Sequence, residues 1–313
     1  MTELRARSET HPIVRAGLTP DRPADALEFT PPEQHPLLRE AAALSAKPEF
    51  SQSVRVFAGG MVRFRQAPRL VNKLISHESR FQVIGGLLYL HADRERFGPE
   101  GGATYARLLE LCTRSDDVSP RVLKTTLALL RLTGFIHSER NPADLRSAYY
   151  RPTERLWGLV RQWLSGIVQS LDLLQPQPHY ERRLQDDPAF IERFLVAVGR
   201  DRIAGLRPVH FMPEFIGFFG RRAGAAAVVM GIMSAYLEGA PVPSRAQIAR
   251  RFGLSKTQVS SIIADGARLG YFEVDSVGVP APTLRLQGDF ARWISILLAF
   301  CVRHMQAPEP TLG

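Results

Sequence analysis

Beyond residue 66 the chain is dominated by hydrophobic stripes at helical spacing, separated by short polar or Gly/Pro-rich breaks. The stripes predict helices over 67–94, 104–113, 119–134, 156–174, 188–199, 212–238, 244–252, 255–270 and 289–305. Upstream, "SVRVFAGGMVRFR" (53–65) alternates around Ala-Gly-Gly, which predicts a hairpin with Arg55, Arg63 and Arg65 on alternate positions. Residues 1–48 are rich in Pro, Thr and Glu and poor in aromatics, so they read as a mobile tail. The Pro-punctuated segment 175–188 reads as a linker.

The most informative stretch is "SRAQIARRFGLSKTQVSSIIADGARLGYF" (244–272): a helix, a tight turn, a second helix and the start of a strand. Ser255, with Gln258 three residues on, predicts a capping box, in which each side chain satisfies the other's exposed backbone donor. Val259, Ile262, Ile263 and Leu269 share one face, and Gly270 ends the helix. The outward face carries Ser255, Lys256, Thr257, Gln258, Ser260 and Ser261, small polar and basic groups suited to a major groove.

The same unit is written 136 residues earlier, in "SPRVLKTTLALLRLTGFI" (119–136). The Ser-to-Gly interval is 15 residues in both, and Leu123, Thr126, Leu127 and Phe135 fall on Val259, Ile262, Ile263 and Tyr271. The outward set becomes Ser119, Arg121, Lys124 and Thr125. Each copy is preceded by a first helix and a long apolar helix, and followed by a hairpin and an amphipathic helix. A repeat of this length is a domain rather than a solenoid unit.

Between the hairpin strands of the first copy, "RNPADLRSAYYRPT" (140–153) places Asp144, Arg146 and Thr153 as D-x-R-x(6)-T. Here the chain resembles the MarR family of regulators, well over 67–175 and in architecture over 209–306. The resemblance implies a winged helix whose second helix enters the major groove. Arg146 would sit at the wing tip over the minor groove, with Asp144 bracing the wing and Arg140 beside it. It also implies an intramolecular pseudo-dimer on a helical platform built from 67–94, 156–174, 212–238 and 289–305. Ala227, Gly231 and Ala235 would let helices approach closely there. The second wing, "VDSVGVPAPTLRL", lacks the Asp-x-Arg, which leaves its groove contact open.

Charge agrees with a polyanionic partner: 40 basic against 31 acidic side chains give +9, with Lys only at Lys47, Lys73, Lys124 and Lys256. Arg250 and Arg251 on the earlier helix of the second copy are further phosphate candidates. Two distant cysteines, Cys112 and Cys301, argue for neither a disulfide framework nor a zinc site, and point to a reducing cytoplasm. The run at 223–237 is shorter than a membrane span needs, so no membrane is expected. No catalytic motif stands out and the eight histidines do not cluster with carboxylates, so no enzyme, metal or cofactor is expected. "HFMPEFIGFF" (210–219) is a candidate lining for the pocket of a small-molecule effector.

The resulting expectation is a mainly α protein with small β wings, two winged helix-turn-helix units on a shared platform. Its segments are a tail (1–50), a first unit (51–176), a linker with connecting helix (177–208), a second unit (209–306) and a tail (307–313). Double-stranded DNA is the expected partner, bound by a monomeric pseudo-dimer or a homodimer acting as a transcriptional regulator. The expected contacts are Ser119, Arg121, Lys124, Thr125, Arg140, Arg146, Ser255, Lys256, Thr257, Gln258 and Ser261. A plasmid-type replication initiator and a module that contacts RNA polymerase remain alternatives.

Overall fold

The computed structural model describes residues 35–66, 69–99, 101–113, 118–141 and 144–306. These residues are mainly helical, with two small antiparallel two-stranded sheets. The chain runs through α1 (Pro36–Ser45), α2 (Phe50–Phe64), α3 (Arg69–Ile75), α4 (Glu78–Ala92) and the single turn α5 (Arg94–Phe97). Then come α6 (Tyr105–Thr113), α7 (Pro120–Leu132), β1 (Ile136–Asn141), β2 (Asp144–Pro152) and α8 (Glu154–Leu174). A second series follows: α9 (Tyr180–Asp186), α10 (Phe190–Ile203), α11 (Pro213–Phe219), α12 (Ala225–Leu237), α13 (Arg245–Phe252), α14 (Lys256–Arg268), β3 (Phe272–Val274), β4 (Pro280–Pro282) and α15 (Leu284–Met305).

The expected hairpin at 53–65 is instead the helix α2. Val54, Phe57, Ala58, Met61, Val62 and Phe64 are buried, a set with helical and not alternating spacing. The Gly-Gly pair that suggested a turn serves a helix crossing. A Cβ added at Gly60 would lie 2.8 Å from the Cα of Gly166 on α8, so only glycine permits this approach. Ser53 also donates its hydroxyl across the same interface to the Ser170 carbonyl, at 2.9 Å. Three other expectations shift. Residues 36–45, assigned to the tail, form α1, with Leu37, Ala41 and Leu44 buried, whereas the tail before residue 35 lies outside the described residues. The linker contains α9, pinned where Asp172 accepts from the Tyr180 and Glu181 backbone N–H groups at 2.7 and 2.8 Å. The apolar run 212–238 is broken into α11 and α12.

Packing is reciprocal between the two series. α1 packs on α15 and α9 on α8, while α2 packs on α12 and α10 on α4. These two contacts between an early helix of one series and a later helix of the other thus recur with the roles exchanged. Trp163 and Trp293 show it at side-chain level. Each stands ten residues after the threonine that caps its helix, α8 or α15. Trp163 meets Phe81 of its own series at 5.4 Å and Phe194 of the other at 6.3 Å between ring centroids. Trp293 meets Phe219 at 4.6 Å and Phe57 of the other series at 5.5 Å. Beyond the area they bury, such aromatic pairs add about 0.5–1.5 kcal/mol each. The small-residue position Gly231 on α12 serves a different contact from the one expected, since its face meets the Phe252 ring of α13.

Candidate nucleic-acid interface

The stretches formed by α7 and by α14, each with the hairpin that follows it, are built by the same local chemistry. Ser119 Oγ accepts from the Val122 backbone N–H at 3.3 Å, and Ser255 Oγ accepts from Gln258 N–H at 3.0 Å. At the far end, Gly134 and Gly270 take φ of +70° and +74°, the left-handed conformation that closes a helix. The next residue closes the same turn in both: Phe135 N–H reaches the Leu130 carbonyl at 2.9 Å, and Tyr271 N–H the Gly266 carbonyl at 2.8 Å. After the hairpin, Thr153 Oγ1 donates to the Gly134 carbonyl at 2.9 Å and Thr283 Oγ1 to the Gly270 carbonyl at 2.6 Å. Two residues on, Arg155 donates to the Thr133 carbonyl at 2.6 Å and lies 4.9 Å from the Phe135 ring centroid. Arg285 does the same at Leu269, 2.8 Å, and Tyr271, 5.0 Å. These bonds lock each hairpin and its following helix to the end of α7 or α14.

The outward faces differ. On α7, Ser119, Arg121, Lys124, Thr125 and Arg131 are all exposed, while Leu123, Thr126, Leu127 and Leu130 are buried beneath them. Thr125 spends its hydroxyl on the Arg121 carbonyl at 2.8 Å, and Lys124 Nζ lies 5.9 Å from the Tyr105 ring. Among the described residues Arg121 forms no ion pair with a carboxylate. Arg131 is a basic position of this face absent from the sequence-based set; its place on the exposed stripe of α7, one turn before the hairpin, was the signal available.

The β1–β2 hairpin follows α7 and touches it through β1, with Ile136 opposite Pro152 and Arg140 opposite Ala148, and with an irregularity between Arg140 and Asn141. Arg140 and Arg146 are both exposed. Residues 142 and 143 at the tip, and the Asp144 side chain, lie outside the described residues, and with them the bracing contact expected of Asp144. Arg151 pairs across the sheet with Glu139 at 2.7 Å, which holds the Glu139 carboxyl below the usual carboxylate range.

On α14, Ser255, Lys256, Thr257 and Ser261 are exposed and Gln258 is half-buried. Part of this face is already engaged. Gln258 Nε2 donates to the Ala223 carbonyl at 2.9 Å, and Arg222 Nη2 donates to Ser261 Oγ at 2.8 Å. Arg222 and Arg268 both pair with Asp265. The expected capping box at Ser255 is thus only half made, since Gln258 turns away from the cap. A complete one forms one helix earlier, between Ser244 and Gln247 on α13. The second hairpin has strands of three residues, and its turn exposes Val277 and Val279 rather than a basic group.

Nothing in the described residues assembles a metal site, and no described helix is long and apolar enough to cross a membrane. Cys112 and Cys301 are both buried, and burial pushes their thiols up to about 11 and about 12, so neither is a ready thiolate. Comparison with protein-family models, curated proteins and solved structures finds no match.

Proposed function

We propose that the chain is a double-stranded-DNA-binding regulator, an internal pseudo-dimer of two MarR-like winged helices in which the first unit makes the principal DNA contact. The observation that carries this reading is the exposed basic and polar face of α7 (Arg121, Lys124, Thr125, Arg131) beside a hairpin bearing Arg140 and Arg146. A helix of this length presents such a row to a groove. Arginine and lysine neutralise phosphates there, and Ser119 and Thr125 sit where base edges are read. The recurrence of cap, left-handed glycine, threonine and arginine in both units supports the duplication, and the exchanged helix contacts support the pseudo-dimer.

The second unit fits a weaker DNA contact. Gln258 and Ser261 are held by the 222–223 segment, so reading bases with them requires breaking those bonds, and Lys256 is the one basic group at the start of α14. The valines exposed on its hairpin favour a protein partner for this unit, with RNA polymerase the candidate of the right kind. A replication initiator would use the same surfaces and would differ in binding direct repeats.

The deciding experiment selects binding sites from genomic DNA with the full chain, then measures affinity for the strongest site against salt. Binding that is undetectable at physiological salt, or indifferent to salt, overturns the reading. A footprint of two half-sites, one more strongly protected, is the expected result for one chain; four half-sites would show that the chain pairs again.

A further inference from the structure

Resting on the DNA-binding reading above, we propose that α3 holds α7 and α14 at one fixed separation. The chain then binds only DNA whose two half-sites stand at the matching distance, and Gln66 and Asn72 are the residues that set this selectivity.

α3 is itself firmly seated. Val71, Leu74 and Ile75 are buried, and Arg65 Nη1 donates to the Ile75 carbonyl at 3.0 Å, which closes the end of α3 onto the end of α2. It packs on α7 within the first series. The stretch around it then grips the second series through Gln66, Asn72, Ser76 and Glu78. Gln66, with its amide oxygen turned toward α13, accepts from Arg251 Nε and Nη2 at 2.6 and 2.7 Å. Asn72 Nδ2 donates to the Phe252 carbonyl at 3.2 Å. That carbonyl ends α13, where helix geometry leaves oxygens without an internal donor, so the bond satisfies the helix end and fixes its place against α3. Because α13 packs on α14, α14 is placed with it.

A second route reaches α14 from the turn between α3 and α4. Glu78 N–H donates to the Gly220 carbonyl at 3.1 Å, and Gly224 N–H donates to the Ser76 carbonyl at 3.3 Å. These bonds flank Arg222 and Ala223, which hold Ser261 and Gln258 on α14. α14 is thus tied to the first series both through the end of α13 and through its own exposed face. On DNA, one extra base pair between half-sites moves the second by about 3.4 Å and turns it by roughly 35° about the duplex axis. Helices joined by a flexible segment follow such a shift. Helices bridged by two routes do not, and one of them gives up its half-site.

The test measures binding of the full chain to duplexes carrying its selected site with the half-sites moved apart or together by successive single base pairs. Wild type should lose at least about tenfold in affinity at the first step in either direction. Combining Gln66→Ala with Asn72→Ala should reduce that loss to within about threefold. Gln66 is exposed, so Gln66→Ala alone carries part of the effect even if Asn72→Ala does not fold. Arg121→Ala should weaken binding at every spacing and leave the preference as it is. A second arm needs no DNA. Spin labels on Leu132→Cys and Arg268→Cys, the exposed last residues of α7 and α14, should give one narrow distance that broadens in the double variant. The native cysteines are buried and stay unlabelled. A broad distance in the wild-type background, equal affinity across spacings, or a spacing preference that survives the double variant overturns the proposal. A narrow distance that broadens as expected, in a chain that binds no DNA, would overturn the DNA reading and the selectivity with it while leaving the bridge in place.

Discussion

Gly60→Ala adds one methyl group to the α2–α8 crossing, and the structure sets what that group meets. The new Cβ would fall 2.8 Å from Gly166 Cα, where carbon atoms ordinarily rest about 3.5–4.0 Å apart. The obstacle is backbone, which cannot turn aside as a side chain can, so the helices must part by roughly 1 Å. Overpacking of this kind costs about 1–3 kcal/mol, and helix propensity returns up to about 1 kcal/mol when glycine becomes alanine. The expected net effect is a loss of about 1–2 kcal/mol. Gly59 is the internal control, because a Cβ there meets only Arg63 Nη1 at 3.5 Å. Gly59→Ala should therefore stabilise by about 0.5–1 kcal/mol through propensity alone. Gly166→Ala should resemble Gly60→Ala, since its Cβ would stand 3.2 Å from Gly60 Cα. The double variant should cost less than the sum of the two singles, because helices parted once already admit the second methyl. Urea denaturation followed by circular dichroism gives all four values. If Gly59→Ala and Gly60→Ala stabilise equally, the crossing is not this close and α2 does not pack as described.

Three further outcomes test other parts of the structure. Replacing Arg121 and Lys124 by alanine should each reduce the magnitude of the log–log salt slope of DNA binding by about 0.9, while Arg65→Gln leaves it unchanged; unaltered slopes for the first two would remove α7 from the interface. Arg222→Ala removes the bond to Ser261 and the pair with Asp265, and should increase hydroxyl-radical protection of the weaker half-site; unchanged protection would mean that α14 does not approach DNA. His91 is held by burial, and then by Arg151 and Arg94, at a pKa lowered to about 4. The unfolded chain takes up that proton near pH 6.5 and the folded chain does not, so the stability associated with neutral His91 is full above about 6.5 and is lost as pH falls toward 4. His91→Gln should flatten the fall in melting temperature over that window, and an unchanged profile would contradict the placement of His91.

The polar and apolar pattern read α6, α7, α8, α13, α14 and α15 to within a few residues, ran α3 and α4 together as one helix over 67–94, and failed at α2. "SVRVFAGGMVRFR" satisfies both templates, since Val54, Val56 and Ala58 alternate while Val54, Phe57, Ala58 and Met61 follow a helix. Gly-Gly between β-branched and aromatic residues then tips a local reading toward a turn. What decides the matter is Gly166, more than a hundred residues away, whose own missing side chain leaves room for a helix. The capping box failed in the same way: Ser255 made its half, but the Ala223 carbonyl offered Gln258 a partner that no spacing within α14 discloses.

Sequence alone determined the features whose partners lie within a few residues. These are the serine caps at 119 and 255, the left-handed glycines at 134 and 270, and the apolar stripes that bury one face of α7 and α14. Such bonds close over one helical turn, so residue identity and spacing suffice. Tertiary structure decided that α7 keeps its outward side chains exposed while α14 lends two of its own to the 222–223 segment. It also decided that Arg65, read as one of three arginines on a surface strand, lies in a chamber between the helix series with an open donor. Those outcomes depend on which distant backbone or carboxylate comes within about 3 Å, a distance set by the packing of whole helices.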